Sequence, residues 1–472
     1  MRNRFNLLLL SAVLALGGVF AGFSSPVSEA ASVSSQDKKI TARFDSARAL
    51  EHIRHLSVDL GPRVTGTEQE EEASRYMERL FKRYGYKVST QKFSIPDRLE
   101  GTLTLPSDGN RELAIRIATG SAPTGDEGLR APLVDAGLGG ESDFPDDTAG
   151  KVALIRRGEY TFYDKARNAE EAGASGVILY DHADALVPPS PSLGGNDVSI
   201  PVVAVTKKDG EALLEAMQSD DVTVSLFIQA LGNQTSQNVM AIKKPKGKKG
   251  KDADIVYVTA HYDSVPYSPG ANDNASGTGV LLELARIMKG LPTEKEVRFV
   301  AFGAEEIGLV GSRYYVSQLS SDEIRRSAAN FNMDMVGTNW DQATQLYVNV
   351  VDGQPNLVWQ YAQAAAERLG NDTLFLYQRG SSDHVAFYEA GIDAANFIRR
   401  EPETANLEPW YHTPEDTIDK IDQERLQEAG ELVGSAVYDL TGKETPRRKK
   451  KKERRMVSSH HLHEDHEHEV MR

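Results

Sequence analysis

The chain has 472 residues, no cysteine, 40% hydrophobic residues, 26% charged residues and a formal net charge of -15. At roughly 150 residues per domain this length allows up to three domains, and the ordinary apolar content excludes a collagen repeat, a disordered polyampholyte and a small disulfide scaffold. The absence of cysteine excludes thiolate zinc fingers and a cysteine nucleophile, and the acidity argues against a nucleic-acid partner, because phosphate neutralisation needs clustered Lys and Arg.

Arg2 and Arg4 precede an apolar stretch from Phe5 to Phe23, followed by Ser28-Glu29-Ala30. A basic, then apolar, then small-residue pattern predicts a signal peptide over residues 1–30 and hence a secreted protein. No later segment reaches about 18 consecutive apolar residues, so no membrane span is expected. From Phe44 to Tyr84 apolar residues recur at helical spacing, broken by Gly61-Pro62 and Gly66-Thr67, which predicts two helices. Lys87 to Ile95 and Glu100 to Leu105 then alternate like strands.

Between Gly109 and Leu231 the texture changes. Val152 to Ile155, Gly176 to Tyr180, Ile200 to Val205 and Val222 to Ile228 read as strands, with an Ala-rich helix from Tyr163 to Ala172. Gly150 to Gly158, Phe162, Lys165, Ala169 and Ala172 to Ile178 resemble the protease-associated domain inserted in many secreted peptidases. From Asn238 strands and helices alternate: strands at 254–260, 296–302, 328–333 and 345–350, and helices at 276–289, 309–319 and 357–369. That alternation predicts an α/β fold, a mixed and mostly parallel sheet sandwiched by helices, with ligands collecting at the strands' carboxyl ends. Lys243 to Lys251 reads as a solvated loop between two strands.

The tail is of another kind. Arg447 to Arg455 is basic and residues 460–468 are rich in His. Nothing in it forms a core, so residues 446–472 are expected to be disordered, with an electrostatic tether to an anionic cell envelope left open. The leader contributes +1 and the tail +4, so residues 31–445 carry -20.

The chemistry sits where strands end. Residues 255–260 lead to His261 and Asp263, 297–302 to Glu305-Glu306 and 328–333 to Asp334. Gly-flanked Asp273 lies on one polar loop and Tyr411-His412 on a late one. Singly, such residues are common helix caps or buried histidines. Together, two histidines and several carboxylates at one sheet edge form an N/O donor set suited to zinc, manganese or cobalt. His261 to Ser264, Gly270 to Gly277, Phe302 to Ser312, Asn332 to Gly337 and Tyr411 to Thr417 resemble, in order, the motifs of the secreted co-catalytic zinc aminopeptidases.

The resemblance implies a zinc exopeptidase fold over residues 31–106 and 233–445, with the protease-associated domain at 107–232. It implies two zinc ions: Asp273 bridges them, His261 and Asp334 complete one, and Glu306 and His412 the other. The nucleophile is then a hydroxide shared by both ions, with Glu305 as general base, Asp263 orienting His261 and Tyr411 donating to the oxyanion. A cis peptide at Asp273–Asn274 and a pocket-lining Asp383-His384 are implied as well. Substrates are expected to be peptides with a free N-terminus. Arg379, Arg399 and Arg400 leave a carboxypeptidase of the same fold open, and a non-catalytic binding or receptor protein is the alternative of another class. A glutaminyl cyclase, with one zinc, fits the five ligands less well.

Overall fold

The computed structural model describes residues 34–195, 198–219, 221–245 and 252–442. The expected leader, the basic and His-rich tail and most of the lysine run fall outside these residues. Among the described residues no helix is long and apolar enough to cross a membrane.

The strand Ile255–His261 is buried at every position, as a strand covered on both faces must be. Side-chain alternation sends Val256, Val258 and Ala260 to one face, against Ile53, Met77, Leu281 and Val433 of the helices Ser46–Arg54, Glu68–Arg83, Gly277–Met288 and Gln423–Thr441. Ile255 and Tyr257 face the other way, packing with Tyr315 and Phe387 of the helices Val310–Ser317 and His384–Glu389.

This strand lies inside an eight-stranded sheet ordered Lys87–Ser94, Thr235–Lys243, Glu296–Phe302, Ile255–His261, Ser327–Met333, Asp393–Arg400, Gln345–Val350, Leu374–Gln378. The four strands from Glu296–Phe302 to Asp393–Arg400 are mutually parallel, so their carboxyl ends share one edge. The flanking pairs Lys87–Ser94 with Thr235–Lys243, and Asp393–Arg400 with Gln345–Val350, are antiparallel, which makes the sheet mixed.

Several elements of this layer escape sequence patterning, Asp393–Arg400 and Gln423–Thr441 among them. Asp393–Arg400 is buried from Ala394 onward, yet two alanines and two arginines dilute its apolar signal. Gln423–Thr441 carries Gly430 in its interior, where a Cβ would stand 2.0 Å from Cζ of Phe44, so close helix packing requires a residue that reads as a helix breaker.

A second eight-stranded sheet is ordered Arg111–Leu113, Arg98–Leu105, Thr223–Leu231, Leu129–Asp135, Val152–Arg156, Gly176–Tyr180, Val202–Val205, Arg116–Ile117. Val152 and Leu154 pack toward Leu213 of the helix Lys207–Met217, and Ala153 and Ile155 toward Ala166 and Ala169 of Phe162–Glu171. The strand Arg98–Leu105, just before the division expected at residue 107, pairs with Thr223–Leu231 within this second sheet. Alternation alone shows a strand there but not its distant partner.

Glu70, in the first turn of Glu68–Arg83, is 1% exposed, accepts from Gly66 N at 2.7 Å and from the Ser236 hydroxyl, and is pushed up to about 8 by burial, with the charge of Asp263 adding. An unfolded glutamate ionises near 4.3, so between about 4.3 and 8 the folded state holds a proton that the unfolded state releases, and stability falls as pH rises through that window. Glu70→Gln is expected to flatten that slope in urea unfolding at pH 5 and pH 8; an unchanged slope would remove Glu70 as its source.

Candidate metal centre

Each candidate ligand sits just beyond a strand or in a loop tied to one. His261 closes Ile255–His261, and Thr278 donates to its carbonyl at 2.7 Å. Asp334 follows Ser327–Met333, and Glu305-Glu306 follow Glu296–Phe302. Ala304, Met335 and His412 adopt left-handed φ angles of 58°, 62° and 59°, unusual for residues with a Cβ. Backbone of this kind clusters at functional sites, where the surroundings over-determine it.

Two groups result. His261, Asp273 and Asp334 form one; Asp273, Glu306 and His412 form the other, with the donor atoms in each within 4.8 Å of one another. His261 Nε2 lies 3.4 Å from both Asp273 Oδ1 and Asp334 Oδ1. His412 Nε2 lies 3.0 Å from Asp273 Oδ2 and 3.3 Å from Glu306 Oε2. Asp273 therefore presents one oxygen to each group.

The electrostatics call for cations. Burial opposes ionisation of Asp273, but the two imidazoles outweigh it and hold this carboxyl below its usual range. Burial, with Asp273 adding, pushes Glu306 up to about 7. Burial also disfavours His412 as imidazolium, yet Glu306 and Asp273 prevail and push it up to about 10. Glu306 Oε1 and His412 Nε2 are buried without a directed hydrogen bond, although His412 Nε2 has two carboxylate oxygens close by. Converging donors, of which Glu306 Oε1 and His412 Nε2 lack a directed hydrogen bond, fit divalent ions placed among them, and the mixed imidazole and carboxylate set fits zinc.

Glu305 is 8% exposed and belongs to neither ligand group. Burial pushes its carboxyl well above the ordinary range, with His261 opposing and Glu306, Asp383 and Asp334 adding. Asp263 Oδ1 stands 3.5 Å from His261 Nδ1. It also does something sequence reasoning missed: it accepts from the backbone N–H of both Glu305 and Glu306 at 3.2 Å and from Thr65 at 2.9 Å, fixing the turn from which the adjacent glutamates diverge. Asp263→Ala is accordingly expected to weaken zinc affinity about 10- to 100-fold. Competition with a chromogenic chelator measures it, and unchanged affinity would show that the ligands hold without Asp263.

The Asp273–Asn274 peptide is cis. The Asp273 loop is held by groups with no obvious sequence signature. Asp416 accepts from the backbone N–H of Asn272 at 2.7 Å and of Asp273 at 3.0 Å, and Glu408 accepts from the Asn272 amide at 2.6 Å. Arg63 is fully buried and donates to the carbonyls of Tyr262, Leu56, Gly61, Pro269 and Gly270. A Cβ on Gly270, whose φ is 60°, would come within 2.8 Å of Arg63 Nη2. Only the motif position of Asp416 hinted at any of this.

The Tyr411 ring stacks on His412 with centroids 3.7 Å apart. Asp383 is fully buried, and burial pushes it up to about 7. His384 Nε2 meets Arg379 O at 3.1 Å, and burial pulls His384 down to about 4. The arginines considered for a substrate carboxylate are engaged elsewhere: Arg399 pairs with Glu428, Arg400 donates to Ala405 O, and Arg379 Nε to the Ser381 hydroxyl.

Residues 238–437 match peptidase family M28 and residues 129–213 match the PA domain. The chain belongs to peptidase family M28, with a PA domain inserted before its ligand-bearing strands. Among its relatives, aminopeptidase YwaD of Bacillus subtilis (strain 168) is 52% identical over 420 residues, spanning 89% of this chain and 90% of that protein. The structure of a zinc aminopeptidase from Bacillus subtilis matches with a TM-score of 0.77 at 54% identity, over 85% of this chain and 96% of that one. An aminopeptidase from Aneurinibacillus sp. strain AM-1 matches at 0.62 and 41% identity, over 86% of this chain and 96% of that one. The mixed sheet with helices on both faces is thus the architecture of these aminopeptidases.

Proposed function

We propose that this protein is a secreted zinc aminopeptidase that removes N-terminal residues from peptides at a site built for two zinc ions, with Glu305 as general base. The observation that carries the reading is Asp273, which offers one oxygen to each of two ligand groups. Bound there, zinc supplies an activated water and a Lewis-acid hold on the scissile carbonyl.

The chain's own residues do the rest. His261, Asp273 and Asp334 would hold one ion, and Asp273, Glu306 and His412 the other. Glu305 takes the proton of the attacking water and returns it to the leaving amine, a role suited to a buried carboxyl with a raised pKa. Asp263 orients His261 and the glutamate turn. Tyr411, stacked on His412, donates to the oxyanion. The leader reading favours export, and the basic tail a tether to an anionic envelope; both lie outside the described residues.

Hydrolysis of an aminoacyl p-nitroanilide, with and without a chelator, tests the reading. Activity lost to the chelator and restored by zinc is expected, with a lower melting temperature for the stripped protein, since no disulfide helps to hold the fold. Zinc-loaded protein without activity would overturn it, and cleavage from the C-terminal end would make the enzyme a carboxypeptidase.

A further inference from the structure

The inserted sheet touches the His412 loop through the Arg116 side chain. Arg116 belongs to the edge strand Arg116–Ile117, which pairs with Val203 and Ala204. Its neighbour Ile115 is bound to the peptidase loop on both sides of its backbone: Tyr267 Oη donates to Ile115 O at 2.7 Å, and Ile115 N donates back at 3.2 Å. That clasp sets Arg116 beside the ligand loop, where Nη2 donates to the carbonyl of His412 at 3.4 Å and Nη1 to the Ser190 hydroxyl.

This guanidinium is poorly satisfied. Its Nε is buried without a hydrogen-bond partner, its bond to His412 is long, and among the described residues no carboxylate is paired with it. Burial disfavours its charge, and Glu306 is the carboxylate that acts against that cost. Once Glu306 is committed to a cation, Arg116 has no counter-charge left. An uncompensated and partly buried charge is costly, whereas a planar guanidinium is well matched to a carboxylate.

An aminopeptidase substrate places its free amine among the carboxylates at the metals and leads its remaining residues away from them. One to two residues beyond the scissile bond span roughly 3.5 to 7 Å, the scale on which a short peptide brings its terminal carboxylate past the metals. We propose that Arg116, supplied by the PA domain, is a specificity residue that binds the free α-carboxylate of di- and tripeptide substrates and so directs the enzyme toward short peptides. This inference rests on the aminopeptidase reading.

The test compares X-Gly and X-Gly-Gly with their C-terminal amides, X being the residue best accepted in a p-nitroanilide panel, for the wild type, Arg116→Ala and Arg116→Lys. In the wild type, kcat/KM for the free acid is expected to exceed that for the amide about tenfold or more, the range of a charged hydrogen bond. Arg116→Ala abolishes that ratio chiefly by raising KM for the acid, and Arg116→Lys keeps part of it, with the residual ratio weakened by added salt. Equal rates on acid and amide in the wild type would overturn the proposal. So would an Arg116→Ala variant that loses kcat alike on acid, amide and p-nitroanilide together with zinc, because that pattern belongs to support of the His412 loop. A wild type inactive on every p-nitroanilide is a distinct outcome, which removes the aminopeptidase reading itself.

Discussion

Glu305→Ala is expected to retain its zinc and lose about 10²- to 10⁴-fold in kcat, the usual contribution of a positioned general base. Glu305 lies outside both ligand groups, while the adjacent Glu306 lies inside one. The two diverge because Ala304 turns the chain with a φ of 58° and Asp263 fixes the next two amides. Glu305→Gln keeps the volume and removes the base, so it should behave likewise, whereas Glu306→Ala should lose metal. Zinc content by mass spectrometry beside p-nitroanilide turnover separates these outcomes. Loss of metal from the Glu305 variant with retention in the Glu306 variant would mean that the roles are exchanged.

Arg63→Ala is expected to be the most damaging substitution outside the ligands. The side chain is fully buried, and its five carbonyl partners lie on the segments 56–61 and 262–270. Burial pulls its pKa down to about 10, and Asp416, Asp263, Asp273 and Glu306 act against that pull. Removing the cation leaves buried carbonyls unpaired and takes a positive charge from a site rich in carboxylates. Breaking such an arrangement costs about 3 to 5 kcal/mol. For a unit of this size that lowers Tm on the order of 5 to 10 °C and loosens the Asp273 loop, so zinc affinity should fall as well. A Tm and zinc content equal to those of the wild type would show that the loop holds its shape without Arg63.

The ligand candidates were legible because each stands in a contiguous motif directly beyond a strand, where the chain has just been oriented by the sheet. His261, Glu305-Glu306 and Asp334 follow central parallel strands whose apolar runs announce themselves. What stayed hidden are relations between distant segments. Asp416 binding the amides of residues 272 and 273, Arg63 gathering carbonyls from two loops and Arg116 arriving from the second sheet all depend on through-space contacts. The same limit applies to the fold: Arg98–Leu105 reads as a strand in either sheet until its pairing with Thr223–Leu231 is seen.

Asp273 is expected to serve two ions with one carboxylate. An anomalous difference map at the zinc edge, from crystals of the metal-loaded protein, tests it most directly. Two peaks are expected, one among His261, Asp273 and Asp334 and one among Asp273, Glu306 and His412. A single peak, or peaks away from Asp273, would contradict it.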